Sequence, residues 1–307
     1  MKARTVFISL LAICGGALAQ PATDADLCRT TTNNPELAIK HCTAAIESRK
    51  ANGEMLAQWY VQRGTNWADK GDYERAIADH TAALKLDPHV RHANYYRGAA
   101  WAQMGEFERA IADFDIAVKL RADDPVLYYA RAVELAVKGD YARAVTDFDK
   151  ALQLDPKAAG VHFARGRTLF YMSAFARAAG DLEAAFQAQP NSYIALWLFL
   201  ARKRSGHNDA DEMLERETRR IRAGWPAPLI ALYMGRTDVA SVNIAANASE
   251  PARRQEIRCE ADFYLAQSHI IKDEKPRAQT LLQEVLRNCA KNLLEYEGTV
   301  AELRRLK

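Results

Sequence analysis

Small apolar, aromatic and polar positions recur along the middle of the chain with a period of 34 residues. The segment GDYERAIADHTAALKLDP, from Gly71 to Pro88, is followed by similar segments: GEFERAIADFDIAVKL from Gly105, GDYARAVTDFDKALQLDP from Gly139 and SAFARAAGDLEAAFQAQP from Ser173. A constant period of this length is typical of stacked repeats, in which each unit packs against its neighbours. The pattern therefore predicts an array of helical hairpins.

Within each repeat, the residues that begin and end helices occupy the same offsets. Each of three features occurs in three of the four copies: a glycine ends the first helix, an acidic residue begins the second helix, and a proline ends the second helix. Alanines recur where two helices must approach closely. The positions are Gly71, Gly105 and Gly139; Asp72, Glu106 and Asp140; Pro88, Pro156 and Pro190; and Ala76, Ala110, Ala144 and Ala178, followed by Ala83, Ala117, Ala151 and Ala185.

This arrangement of small, aromatic and proline positions in a 34-residue frame resembles the tetratricopeptide repeat (TPR). The resemblance covers about residues 35 to 210. It implies an all-α fold, a right-handed α-solenoid of TPR helical hairpins with C-terminal capping helices. We divide the chain into a signal peptide (1–19), an N-terminal degenerate hairpin (20–56), four regular TPR repeats (57–192), and degenerate hairpins with a C-terminal capping helix (193–307).

The N-terminus has the pattern of a secretory signal: a basic start, an apolar run and the small-residue site Ala17-Leu18-Ala19 before Gln20. We expect cleavage after Ala19 and a periplasmic or secreted protein. The alternative is an outer-membrane lipoprotein with a lipid on Cys14, which we favour less because Ile13 is bulky for the position before a lipidated cysteine. The chain would then contact a membrane only through that lipid.

Four cysteines follow the signal, and an even number in an exported protein predicts two disulfides. Cys28 and Cys42 fall on the two arms of the first hairpin. Cys259 is at the start of the last hairpin, and Cys289 lies just past its second helix. Antiparallel packing brings each pair together, so we predict Cys28–Cys42 and Cys259–Cys289, which would staple the two ends of the array.

Charge and motifs favour no catalytic or nucleic-acid function. The net charge of +3 loses the two cations of the predicted signal, which leaves little attraction for a polyanion. We find no phosphate-binding loop or catalytic motif, and we predict no metal, no cofactor and no enzyme activity. Two charged columns at the repeat period favour an ion-pair ladder over an anion-binding or catalytic set. These columns are Arg63, Arg97, Arg131 and Arg165, and Asp79, Asp113, Asp147 and Asp181.

The first helices also carry an aromatic column that a TPR array would present on its inner face. Such rings suit an extended or helical peptide with apolar anchors. The alternative, that the rings pack on the next hairpin and meet no ligand, stays open. The predicted peptide- or protein-binding residues are Tyr95, Tyr96, Tyr129, Phe163, Arg167, Tyr171 and Trp197.

The C-terminal third, with LWLFLARKRSG, WPAPLIALYMG, ADFYLAQSHIIKDEKPRAQTLLQEV and NLLEYEGTVAEL, resembles periplasmic TPR proteins of the NlpI-like type. That family implies a homodimer and an adaptor for cell-envelope enzymes such as a peptidoglycan hydrolase or a protease. We therefore expect a non-catalytic scaffold that binds proteins or peptides in its concave groove. The alternative is a structural or assembly subunit of an envelope or secretion complex that acts through its outer face and C-terminal tail.

Overall fold

The computed structural model describes residues 22–31, 33–50, 52–219, 224–291 and 293–307. In these ranges the regular secondary structure is α-helical, which confirms the expected all-α class. The predicted signal peptide and Cys14 lie outside the described residues. The chain divides into two units, Met1–Ala93 and Asn94–Lys307.

The first unit contains two helical hairpins. Its helices are α1 (Asp24–Thr30), α2 (Pro35–Glu47), α3 (Gly53–Asp69) and α4 (Tyr73–Leu86). The Sγ atoms of Cys28 and Cys42 lie 2.10 Å apart and join α1 to α2, and both side chains are fully buried. The predicted pairing of these two cysteines is confirmed.

The second unit continues the hairpins and adds the non-repeating C-terminal third of the chain. Its helices are α5 (Ala93–Gln103, which begins at the boundary), α6 (Phe107–Leu120), α7 (Pro125–Val137), α8 (Tyr141–Leu154), α9 (Ala159–Tyr171), α10 (Phe175–Ala188), α11 (Ser192–Arg204), α12 (Ala210–Thr218), α13 (Ala227–Tyr233), α14 (Val239–Asn247), α15 (Arg254–Ile271), α16 (Lys275–Asn288) and α17 (Leu294–Arg305).

The turns inside the hairpins have the geometry that the repeat pattern predicts. Gly139 has φ of 82°, in the left-handed region that a residue without Cβ adopts at low cost. The Asp140 carboxylate then accepts the backbone N–H of Arg143 at 3.3 Å and caps α8. The corresponding Glu106 makes no such bond at the start of α6. In the fourth repeat, Ser173 takes the glycine position with φ of 65°.

Close approach between the two helices of a hairpin requires the small residues at the crossing points. A Cβ on Gly98 would lie 2.9 Å from the Phe114 ring, and a Cβ on Gly166 would lie 2.9 Å from Leu182. The repeated alanines of the second helices are buried, for example Ala144. Any larger side chain at these positions would push the helices apart.

The arginine and aspartate columns form ion pairs within each hairpin. In every repeat, Nε and Nη2 of the arginine donate to the two carboxylate oxygens of the aspartate at 2.6–2.8 Å. The four aspartates are 4–7% exposed. The ladder is therefore structural, because its carboxylates are already matched by bidentate donors.

The last hairpin, α15 and α16, is held by a second disulfide. The Sγ atoms of Cys259 and Cys289 lie 2.08 Å apart, which confirms the predicted pairing. However, α15 begins at Arg254, so Cys259 lies in its second turn rather than at its start. The short helices α13 and α14 lie within residues 193–307, which we predicted to form degenerate hairpins and a capping helix.

The final helix, α17, does more than cap the end of the array. It contacts α15 and α16, as a cap would, but it also contacts α9 in the fourth repeat. Trp197, Phe199, Phe263 and Tyr264 lie in the same buried core, each at most 2% exposed. Across the described ranges, none of the helices combines the length and the apolar character that crossing a bilayer requires.

Candidate functional site

The inner face of the second unit is the surface that carries the aromatic column on the first helices of its repeats. Tyr95, Tyr129, Phe163 and Trp197 lie on α5, α7, α9 and α11. The first three are half-buried, whereas Trp197 is 1% exposed. The same position in the repeat is thus partly open in three copies and closed in the next.

Three of the predicted binding residues surround the guanidinium group of a fourth, Arg167. The Cζ atom of Arg167 lies 5.5 Å from the ring centre of Phe163, 5.8 Å from that of Tyr171 and 6.0 Å from that of Trp197. The partner of this arginine is Glu297 on α17, at 3.0 Å. Such a cage of aromatic faces favours a cation, and here the cation belongs to the protein itself.

Further polar contacts hold α17 along the inner face. The Tyr171 hydroxyl donates to the carbonyl of Leu294 at 3.2 Å, and burial raises the pKa of this hydroxyl. Arg204 pairs with Glu302 at 3.0 Å. Nη2 of Arg305 donates to two carbonyls at the end of α9, each at 2.8 Å. This part of the inner face therefore holds the chain's own last helix.

The structure corrects part of the predicted site. Tyr171 and Trp197 are 5% and 1% exposed, so both belong to the core, as the alternative interpretation of the aromatic column stated. Arg167 is bound to α17 rather than open to a partner. The sequence did not reveal this because α17 has no repeat signature that would place it beside α9.

Tyr95 and Tyr96 lie apart from the Arg167 cluster, on α5. Their ring centres are 5.3 Å apart, and the Tyr95 ring also lies 5.9 Å from that of Phe114. Burial raises the pKa of the Tyr95 hydroxyl. A binding role for these two residues stays a prediction.

Two adjoining cavities remain open on the inner face, and together we call them the open groove. The first, the apolar pocket, has a volume of about 260 Å³ between α7 and α9, where Val126 is 50% exposed. The second, the acidic pocket, has a volume of about 480 Å³. The exposed Gly160 lines both. The apolar pocket is lined by Pro125, Val126, Tyr129, Asp155, Ala158, Gly160 and Val161.

The acidic pocket is bordered by aromatic rings and carboxylates from separate helices. Phe163 and Trp197 line it together with Tyr193, Glu260 and Glu295. Burial raises the pKa of Glu295 to about 7, and the negative charge of Glu260 adds to that shift. Burial also raises the pKa of Glu260. Both glutamates are 5% exposed.

A separate polar cleft of about 1010 Å³ lies among α14, α15 and α16 and includes the Cys259–Cys289 disulfide. Its charged side chains have partners: Arg258 donates to Asn247 at 2.8 Å, and His269 and Arg277 both contact Glu274. This cleft lies outside the aromatic column, and burial raises the pKa of Asp262, which also lines it.

The residues that the sequence analysis missed are those that complete the open groove and its neighbour α17. Gly160 could have been noticed in the sequence, because a glycine near the start of a helix leaves room for a ligand beside the backbone. The sequence placed the acidic residues of α17 on the polar side of an amphipathic helix, but it did not indicate which residues they contact. The missed residues are Val126, Gly160, Tyr193, Glu260, Glu295 and Glu297.

Comparison with known proteins identifies the repeats. Family models described as tetratricopeptide repeat match residues 62–125 and 125–158. The chain therefore carries TPR repeats in this part of the sequence. No curated protein sequence matches the chain.

Solved structures show the same fold over a longer part of the chain. A tetratricopeptide repeat protein from Parabacteroides merdae is similar with a TM-score of 0.57, at 16% identity over 80% of this chain and 98% of that one. The C-terminal part of a TPR protein from Cytophaga hutchinsonii gives a TM-score of 0.55, at 17% identity over 89% and 97%.

A third structure, YrrB, is described as a TPR protein with an unusual peptide-binding site. It gives a TM-score of 0.54, at 20% identity over 65% of this chain and all of that one. At these identities the likeness shows the fold alone. The narrower resemblance to NlpI-like proteins stays a hypothesis.

Proposed function

We propose that this protein is a non-catalytic scaffold that binds a protein or peptide in the open groove of its second unit. The observation that supports this proposal most directly is the groove itself. The half-buried ring of Tyr129 and the exposed Val126 line the apolar pocket between α7 and α9, and the half-buried ring of Phe163 lines the adjoining acidic pocket. Aromatic anchors of this kind contribute much of the binding energy at protein interfaces.

An extended segment fits this groove better than a second globular surface does. The two pockets adjoin at Gly160, so neighbouring side chains of one peptide can enter both. TPR arrays bind peptides along the inner face because their first helices present equivalent positions at regular intervals. In this protein, the intrinsic α17 borders the acidic pocket through Leu294 and Glu295, so the ligand is left the apolar pocket and the part of the acidic pocket that α17 does not occupy.

We further propose that the protein is exported and organises cell-envelope enzymes such as a peptidoglycan hydrolase or a protease, with a homodimer as a further expectation. Support comes from the two cysteine pairs at disulfide distance, because disulfides persist in oxidising compartments. The signal pattern and the NlpI-like resemblance of the tail agree with it. Mass measurement of the protein from a periplasmic fraction would support export if the mature chain begins at Gln20, and an uncleaved cytoplasmic chain would contradict it.

The groove proposal is tested with two matched tryptophan substitutions. Gly160→Trp fills the groove, and Gly180→Trp places the same side chain on the exposed side of α10. A Cβ at either glycine meets no atom within 4 Å, so both variants should fold. Partners captured from an envelope extract by crosslinking and mass spectrometry should be lost from Gly160→Trp only. Equal capture by both variants would place the binding surface elsewhere.

A further inference from the structure

The acidic pocket contains a buried carboxyl group that forms no ion pair with any described residue. Glu295 lies in the first turn of α17, is 5% exposed and lines the cavity. No ion pair from the described part of the chain reaches its carboxyl group; burial raises its pKa, and the more distant positive charge of Arg167 opposes that rise. A buried carboxylate without a counter-charge is costly, and proteins normally match it with a cation.

Glu260 offers a second carboxylate with a free oxygen. The hydroxyl of Tyr193 and Nε1 of Trp225 both donate to its Oε2, at 2.8 Å and 2.6 Å. Its other oxygen, Oε1, accepts no hydrogen bond from any described residue. Glu260 and Glu295 line the same pocket, and the negative charge of Glu260 adds to the rise in the pKa of Glu295 that burial causes.

The cations near the pocket are already paired with other carboxylates. Arg253 pairs with Glu256 at 3.5 Å, and Arg167 pairs with Glu297 at 3.0 Å. These pairs leave Glu260 and Glu295 with no ion-pair partner among the described residues, beside a cavity of about 480 Å³. These two carboxyl groups give the cavity a preference for a cationic ligand group.

The remaining walls suit the stem of such a group. The half-buried Phe163 lines the cavity with aromatic surface, which packs against methylene groups. A lysine side chain combines four methylene groups with a compact ammonium that has three donors. Two carboxylates on different helices match those separate donors better than they match a planar guanidinium, which prefers both oxygens of one carboxylate.

Resting on the proposed peptide-binding function, we propose that the acidic pocket binds the side chain of a lysine, and that an apolar side chain next to it in the same peptide fills the apolar pocket. The lysine ammonium would contact Glu295 and Oε1 of Glu260. The exposed Val126 and the ring of Tyr129 would receive the apolar neighbour. The groove would therefore select a lysine-plus-apolar motif.

The test uses peptides selected by the protein from a random-sequence phage library. Enriched peptides should carry a lysine beside an apolar residue. A synthetic peptide of that sequence should lose at least about tenfold in affinity when norleucine replaces the lysine, because a charge-assisted hydrogen bond of typical strength is lost. Glu295→Gln should reduce affinity for the lysine peptide and leave affinity for the norleucine peptide unchanged.

Two protein variants separate failure of this inference from failure of the proposed function. Peptides without lysine whose binding is blocked by Gly160→Trp would overturn the lysine pocket while the groove remains a binding site. Enrichment of arginine in place of lysine would also overturn the assignment. Both proposals would be overturned if the library yields no enriched peptide. They would also be overturned if the enriched peptides bind Gly160→Trp as tightly as they bind Gly180→Trp.

Discussion

The inner face at α7 and the inner face at α9 and α11 carry aromatic residues at the same repeat position but in different surroundings. Tyr129 on α7 is half-buried and lines an open pocket. Trp197 on α11, two repeats later, is 1% exposed. The difference comes from α15 and α17, which are not regular repeats and which cover the second region. Position within a repeat thus sets where a side chain points, and the irregular elements decide whether a ligand can reach it.

The largest expected difference between the two regions is in stability. Trp197→Ala should lower the free energy of unfolding by about 3–5 kcal/mol, because it leaves a large cavity in a closed core. Tyr129→Ala should cost at most about 2 kcal/mol, since that ring is already partly in water. Denaturant unfolding of both variants measures the two values. Equal losses would show that the two rings have equivalent surroundings.

The second prediction concerns the pH dependence contributed by Glu295. Its folded-state pKa of about 7 lies above the ordinary value of 4.5, so the folded state holds this proton more tightly than the unfolded state does. Its destabilising effect is absent below pH 4.5, grows as the pH rises from 4.5 to 7, and is complete above 7.

Glu295→Gln removes this titration and keeps the shape of the side chain. Relative to the wild type, the variant should gain up to about 3 kcal/mol of stability between pH 4.5 and 8. Unfolding curves of the two proteins across this range provide the measurement. A constant difference between them at all pH values would show that Glu295 ionises normally.

The smallest expected change in stability comes from replacing one of two glycines by alanine. Gly298→Ala on α17 places a Cβ 2.8 Å from the Phe263 ring and should destabilise the protein by about 1–3 kcal/mol. Gly160→Ala on α9 meets no atom within 4 Å and should stabilise its helix by up to about 1 kcal/mol. Thermal melts give the sign of each change. A stabilising Gly298→Ala would show that α17 does not lie against α15 as described.

The repeat period was sufficient to predict the hairpins, the arginine–aspartate ladder and both cysteine pairs, because each depends on residues at fixed offsets within a hairpin. It was not sufficient for contacts between residues far apart in sequence. Arg167 and Glu297 are separated by 130 residues, and no local pattern relates them. The same limit explains why Trp197 was predicted as a ligand contact and lies in the core.

Only those residues of the candidate site that lie in the regular repeats could be predicted from the sequence. Tyr129 and Phe163 follow from the 34-residue spacing, and the structure places them beside open cavities. Glu260 and Glu295 come from α15 and α17, whose positions depend on long-range packing. Their charge chemistry therefore becomes visible only when the helices are assembled.

The central claim is that α17 is a stable occupant of one part of the inner face and leaves the open groove beside it. Hydrogen–deuterium exchange of the unliganded protein tests this most directly. Backbone amides from Gly298 to Glu302 should exchange as slowly as those in the middle of α15, because both segments belong to one buried core. Exchange of α17 at the rate of an unstructured peptide would contradict the claim, since the whole inner face would then be open to a ligand.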